Sequence, residues 1–213
     1  MARAPSFEGL NTARFDIVGD IHGHADKLEA LLANLGYRPR MGAWRHPDAT
    51  AIFVGDFIDR GPGQRRTLEL VRAMLDAGTA RAVMGNHELN AIAWHTPHDG
   101  GHLRPRNAKN LAQHQAFLAE MGRDRAEHAA WIAWFHTLPL WLDLPELAII
   151  HACWHPQHIA HATATLGADG LAKPVRRRRS RRTSHASITA RARAARSLRI
   201  GGRASRCSRR RIS

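Results

Sequence analysis

Short, almost unbroken apolar runs alternate with longer amphipathic stretches over the first half of the chain. The runs lie in "RFDIVGD" (14–20), "AIFVGD" (51–56) and "RAVMGN" (81–86), and each stops on a glycine followed by a polar residue. Between them, "ADKLEALLANLG" (25–36) and "GQRRTLELVRAMLDAG" (63–78) read as amphipathic helices, with Leu68, Val71 and Leu75 on one face of the second. Gly36 and Gly78 fall where a helix ends. Strand–helix–strand–helix–strand with nearly continuous apolar strands predicts a parallel sheet covered by helices on both faces.

Beyond residue 93 the pattern loosens. "HTPHDGGHLRPRN" (95–107) reads as a loop and "AKNLAQHQAFLAEMG" (108–122) as a helix. In "HAAWIAWFHTLP" (128–139), Trp131, Trp134, Phe135 and Leu138 recur at helical spacing, an aromatic stripe expected to pack in the core. "LAIIHACWHP" (147–156) predicts a fourth strand with His151 at its end and Cys153 as a small buried residue beside it. After about Leu171 there is no aromatic residue and no sustained apolar period, so this tail is expected to be disordered.

Charge sharpens that division. The chain of 213 residues carries a formal net charge of +14, which by itself points to an acidic partner such as nucleic acid. Ala172–Ser213, however, holds 16 Lys and Arg and no acidic residue, leaving 16 basic against 18 acidic residues in the other 171, a formal charge of −2. Any polyanion partner is therefore assigned to the tail alone. Two cysteines give no disulfide framework and suit a reducing compartment. The N-terminus lacks the apolar core of a secretory signal, and no segment approaches a membrane span, so a cytoplasmic location without membrane contact is expected.

The candidate chemistry lies at the ends of the apolar runs. In a parallel sheet, ligands bind outside the carboxyl ends of the strands, where neighbouring loops converge. This chain sends Asp20 and His22, then Asp56, Asp59 and Arg60, then Asn86 and His87, and last His151 to that edge. The glycines before Asp20, Asp56 and Asn86 are expected to permit a sharp exit and a close backbone approach. A helix N-cap accounts for one aspartate after a strand, but not for the histidines or for three glycine-led repeats. Carboxylate, imidazole and amide oxygen together suit divalent transition metals. His24, His95, His98 and His102 are expected on solvated loops or a substrate rim.

"GDIHGH", "GDFIDRGP", "GNHE" and a later strand-end histidine resemble the calcineurin-like metallophosphoesterases over roughly residues 14–160. The "DRG" and "GNHE" forms are most similar to the branch holding Ser/Thr phosphoprotein phosphatases and bacterial diadenosine-tetraphosphatase-like enzymes. The resemblance implies an α/β fold, a β-sandwich flanked by helices. It also implies two divalent metal ions, with manganese expected and iron, zinc, nickel or cobalt as alternatives. Asp20 and His22 would hold the first ion, Asp56 would bridge, and Asn86 and His151 would hold the second, so that a metal-activated water attacks phosphorus. Arg60, with Asn86 nearby, would bind the phosphate. His87 would protonate the leaving oxygen, oriented by Asp59. The implied substrate is a phosphoprotein or a nucleotide.

The C-terminal third departs from the family pattern. A further histidine in a "GH" segment should complete the second metal site within a second sheet, but the text becomes Arg-rich and offers only His185, flanked by Ser184 and Ala186. The expected organisation is an extension (1–13), a phosphoesterase domain with an incomplete second sheet (14–171), and the tail (172–213). A basic tail that binds polyanions by counterion release is one explanation; a reading-frame change near residue 172 is the other, and the abruptness of the shift favours it. Reduced activity follows from the missing histidine. The competing reading is a catalytically impaired metal-site scaffold whose tail binds nucleic acid.

Overall fold

The computed structural model describes residues 14–122, 125–145 and 147–166. The expected extension at 1–13 and the tail at 172–213, including His185, lie outside the described residues. In chain order the elements are β1 (Arg14–Val18), α1 (Ala25–Asn34), β2 (Arg38–Arg40), β3 (Ala43–Arg45), β4 (Ala49–Phe53), α2 (Gln64–Asp76), β5 (Ala80–Ala82) and α3 (Asn86–His95). They continue with β6 (Pro97–His98), β7 (Gly101–His102), α4 (Ala108–Met121), α5 (Arg125–Phe135), β8 (Trp141–Asp143), β9 (Ala148–Ile150) and α6 (Pro156–Leu166).

The three apolar runs form one parallel sheet in the order β1-β4-β5, with Val18 opposite Phe53 and Phe53 opposite Ala82. Every residue of β4 is buried, as a central strand requires. Alternation along the strands divides their side chains between two cores. Ala51 and Phe53 share the larger one with Leu28 and Leu32 of α1 and with Leu68 and Val71 of α2. The aromatic stripe joins this core, since Trp131, Trp134, Phe135 and Leu138 are all buried in it. Burying each such large side chain contributes roughly 1.5–3 kcal/mol.

The opposite face departs from the helical cover that the periodicity predicts and agrees with the sandwich that the resemblance implies. Ile52 and Val83 pack against Ile149, Leu142, Leu144 and Leu147 of the β8–β9 region, not against helices. β9 pairs antiparallel with β8 and not with the parallel sheet. The apolar composition of "LAIIH" marks a strand correctly, but it carries no information about partner or direction. Among the described residues, the second layer of the sandwich is this two-stranded piece, and Ile17 on β1 remains 50% exposed. The β2–β3 hairpin was not foreseen; its Met41-Gly42 turn has positive φ at both residues. The 95–107 loop contains a second small hairpin, β6–β7. Cys153 is exposed, against the expectation of burial, because it lies beyond the end of β9. No helix among the described residues is long and apolar enough to cross a membrane.

Candidate metal and phosphate site

The carboxyl ends of β1, β4 and β5 open into three turns that are stitched together through their backbones. Ile21 and His22 N–H both donate to Asp56 O (3.0 and 2.9 Å), Gly23 N–H donates to Phe57 O (2.7 Å), and Gly61 N–H donates to His22 O (2.7 Å). Such closeness leaves no room for side chains. A Cβ on Gly85 would lie 2.2 Å from Asp56 N, and one on Gly55 would lie 2.2 Å from Gly85 N. Gly19 differs: a Cβ there would meet nothing within 4 Å, so the expected need for glycine before Asp20 does not hold. His22, Asp56, Asp59 and Arg60 all adopt left-handed φ, between 50° and 71°. Four non-glycine residues in that region store backbone strain, which the surrounding hydrogen bonds must hold in place.

Much of that hold comes from Glu88, a residue given no role in the sequence reading. Its fully buried carboxylate accepts from the N–H groups of Asp56 (2.9 Å), Phe57 (2.8 Å), Ile58 (3.3 Å) and Gly85 (3.0 Å). Burial first, then the charge of Asp56, pushes its pKa up to about 7, while the backbone donors pull it down. The available signal was its spacing, three residues after the glycine that opens α3, where a glutamate can reach back to orphan N–H groups.

Polar side chains converge on Asp56, which is 3% exposed. Its Oδ2 lies 4.0 Å from His22 Nε2, 3.8 Å from His87 Nε2 and 3.5 Å from His151 Nε2. Asp20 Oδ2 is 3.6 Å from His22 Nε2, and Asn86 Oδ1 is 3.3 Å from His151 Nε2. Two sets, His22/Asp56/His87 and Asp20/Asp56/His151, each bring one ligand atom per residue within 4.8 Å of the others. The donor chemistry fits cations. His22 Nδ1 donates to Ile58 O (3.0 Å) and His151 Nδ1 donates to Val54 O (2.7 Å), and a carbonyl can only accept. In the neutral ring Nε2 is then the unprotonated nitrogen, the one that a metal would take. His22 Nε2 is buried without any hydrogen-bond partner, which fits the role of a ligand nitrogen.

Next to this cluster, His87 Nδ1 lies 2.6 Å from Asp59 Oδ2, and His114 Nδ1 lies 3.0 Å from Asp59 Oδ1. Burial opposes ionisation of Asp59, yet the hydrogen bonds from His114 and His87 outweigh it and hold the carboxyl below its ordinary range. Burial likewise works against charge on His87, but the bond to Asp59 and the charge of Asp56 push its pKa up. A cavity of about 670 Å³ opens here, lined among others by Asp59, Arg60, Asn86, His87, Asn90 and Gln113. All eight residues singled out in the sequence thus meet around Asp56 and this cavity. His114 was missed, although its spacing from Phe117 and Met121 places it on the buried stripe of α4. His95 is not a solvated loop residue: its ring packs on His114 and His128, with Nε2 buried. His98, by contrast, pairs with the exposed Asp99.

The calcineurin-like phosphoesterase profile matches residues 13–172. The chain belongs to this family. Among curated relatives, an asymmetrical bis(5'-nucleosyl)-tetraphosphatase (PrpE) of Halalkalibacterium halodurans is 45% identical over 75 residues, covering 35% of this chain and 30% of the relative. A symmetrical bis(5'-nucleosyl)-tetraphosphatase of Vibrio cholerae is 33% identical over 141 residues, covering 66% of this chain and 45% of the relative. The chain therefore matches less than half the length of either. The solved cold-active protein-tyrosine phosphatase of a Shewanella species superposes with a TM-score of 0.48 and 20% identity, over 74% of this chain and 49% of its own.

Proposed function

We propose that this calcineurin-like phosphoesterase is a divalent-metal-dependent hydrolase of phosphate esters, with nucleoside polyphosphates as its substrate class. The observation that carries the reading is the convergence of three imidazole nitrogens on one carboxylate oxygen, Asp56 Oδ2, beside a cavity lined by Arg60. The bis(5'-nucleosyl)-tetraphosphatase relatives favour a nucleotide over a phosphoprotein.

Asp20, His22, Asp56, Asn86 and His151 would hold two cations, manganese being the proposed ion. When bound, such ions supply Lewis-acid polarisation of a phosphoryl oxygen and a nucleophilic water at neutral pH. The chain's own residues do the rest. Arg60 offers parallel N–H donors that match the geometry of phosphoryl oxygens. His87 has Nδ1 committed to Asp59, so Nε2–H is the end available to the leaving oxygen. Asn90 and Gln113, which also line the cavity, would supply neutral polar groups for the remainder of the substrate.

The test is a substrate panel with Mn²⁺ on the full chain: diadenosine tetraphosphate, a phosphopeptide and p-nitrophenyl phosphate. Diadenosine tetraphosphate should be cleaved fastest, and Asp56→Asn should lower every rate by at least about a hundredfold. Faster phosphopeptide hydrolysis would move the substrate class to phosphoproteins. No hydrolysis of any member, with Mn²⁺ bound, would overturn the reading.

A further inference from the structure

The Asp59 carboxylate is gripped on both oxygens, and only one grip belongs to the chemistry proposed above. We propose that His114 is a positioning residue: from α4 its Nδ1–H holds Asp59 Oδ1, which turns Oδ2 toward His87 Nδ1 and so fixes the imidazole that serves the leaving group. This inference rests on the hydrolase reading for its catalytic consequence, though not for its geometry.

Four observations support it. First, Asp59 is 2% exposed and His114 is 3% exposed, so no solvent competes for the 3.0 Å contact. Second, the proton can be placed. An ionised carboxylate only accepts, so His114 Nδ1 must donate. Its Nε2 is buried without a partner, which suits a bare lone pair; a second proton would bury an unpaired N–H. The contact therefore fixes a proton on His114 Nδ1, facing Asp59.

Third, the ring itself is clamped. It stacks on Phe117 (centroids 5.1 Å apart, planes 28°) and packs against Trp94 at 5.9 Å. Fourth, α4 is fastened to the same turn at a second point. Glu120 accepts from the N–H groups of Gln64 (2.6 Å) and Arg65 (3.0 Å), capping the otherwise open start of α2. Gln64 in turn accepts from Asp59 N–H (2.7 Å) and donates to Gly61 O (2.6 Å). Helix α4 thus grips the strained Asp59-Arg60 turn through its side chain and, by way of Gln64, through its backbone. A residue at φ 70° with an unheld carboxylate would have other rotamers open to it; His114 leaves one.

The test compares wild type, His114→Phe and His114→Asn as full chains. Phenylalanine keeps the stack on Phe117 and removes the donor, whereas the asparagine amide can replace Nδ1–H. With Mn²⁺ and p-nitrophenyl phosphate, His114→Phe should lose about ten- to a hundredfold in kcat, with KM and Mn²⁺ affinity within about threefold. His114→Asn should recover most of that loss. Long-range ¹H–¹⁵N spectra of histidine-labelled protein give a readout independent of turnover. They should place the His114 proton on Nδ1 and show the hydrogen-bonded His87 Nδ1–H signal weakening in His114→Phe.

An unchanged kcat and an unchanged His87 signal in His114→Phe, with only a lower melting temperature, would reduce His114 to a structural role and overturn the proposal. A wild-type His114 with no proton on Nδ1 overturns it without any variant, even if His114→Phe fails to fold. Absence of hydrolysis by wild type condemns the hydrolase reading instead, and the His87 signal then decides the positioning claim alone.

Discussion

Replacing Glu88 with alanine removes the acceptor shared by the N–H groups of Asp56, Phe57, Ile58 and Gly85 at the crossing of two strand-end turns. The site is closed to water, so the orphaned donors find no substitute. A buried donor left without a partner costs roughly 1–3 kcal/mol. Even the low end, taken over these four groups, comes to about 4 kcal/mol before the cavity left by the side chain is counted. A domain of this size has a total stability of about 5–15 kcal/mol, so Glu88→Ala should be at the edge of folding. Glu88→Gln keeps one acceptor oxygen but turns an NH₂ group toward backbone donors, and should lose about 2 kcal/mol. Urea unfolding of the full chain at fixed pH gives the stabilities, and titration calorimetry gives Mn²⁺ affinity, which should fall in both variants because Asp56 sits on the turn that Glu88 holds. A Glu88→Ala protein within about 1 kcal/mol of wild type, with unaltered Mn²⁺ binding, would refute the claim that this carboxylate organises the site.

Other outcomes follow from the same geometry. Gly85→Ala forces a Cβ to within 2.2 Å of Asp56 N and should cost about 3 kcal/mol or more, whereas Gly19→Ala meets nothing within 4 Å and should stay within about 0.5 kcal/mol; calorimetric melting separates the two. Burial, then the neighbouring His128 and His114, push His95 from 6.5 down to about 3, so the unfolded chain binds more protons between those values and stability falls as the pH drops through that window. The full linkage at pH 5 is about 2 kcal/mol, reduced to about 1 by solvent screening of this half-buried ring. His95→Phe should therefore flatten the fall in stability between pH 7 and pH 5 by that amount in denaturant titrations. Removing divalent cations with a chelator should lower the melting temperature, since 100-fold excess of a ligand over its Kd adds about 2.7 kcal/mol; in Asp56→Asn the chelator should have almost no effect.

The sequence by itself determined the parallel sheet, the helices α1, α2, α4 and α5, the aromatic stripe in the core, and the residues that gather at the sheet edge. These features repeat with a local period or a motif, and local periods follow from backbone geometry alone. Only the tertiary structure decided that Glu88 reaches Asp56, Phe57 and Ile58 and that His114 reaches Asp59, because these partners lie some 30 and 55 positions away along the chain and local spacing does not encode contacts of that range. β9 is a different case: its composition makes it a strand, but only the structure shows it folding back on β8 as a hairpin, closed by Leu144 and Leu147 bonding each other's backbone, with Ile149 turned onto Ile52 and Val83. Gly19 and Gly85 read alike in sequence, and they differ because one turn has open space beside it and the other has the backbone of Asp56.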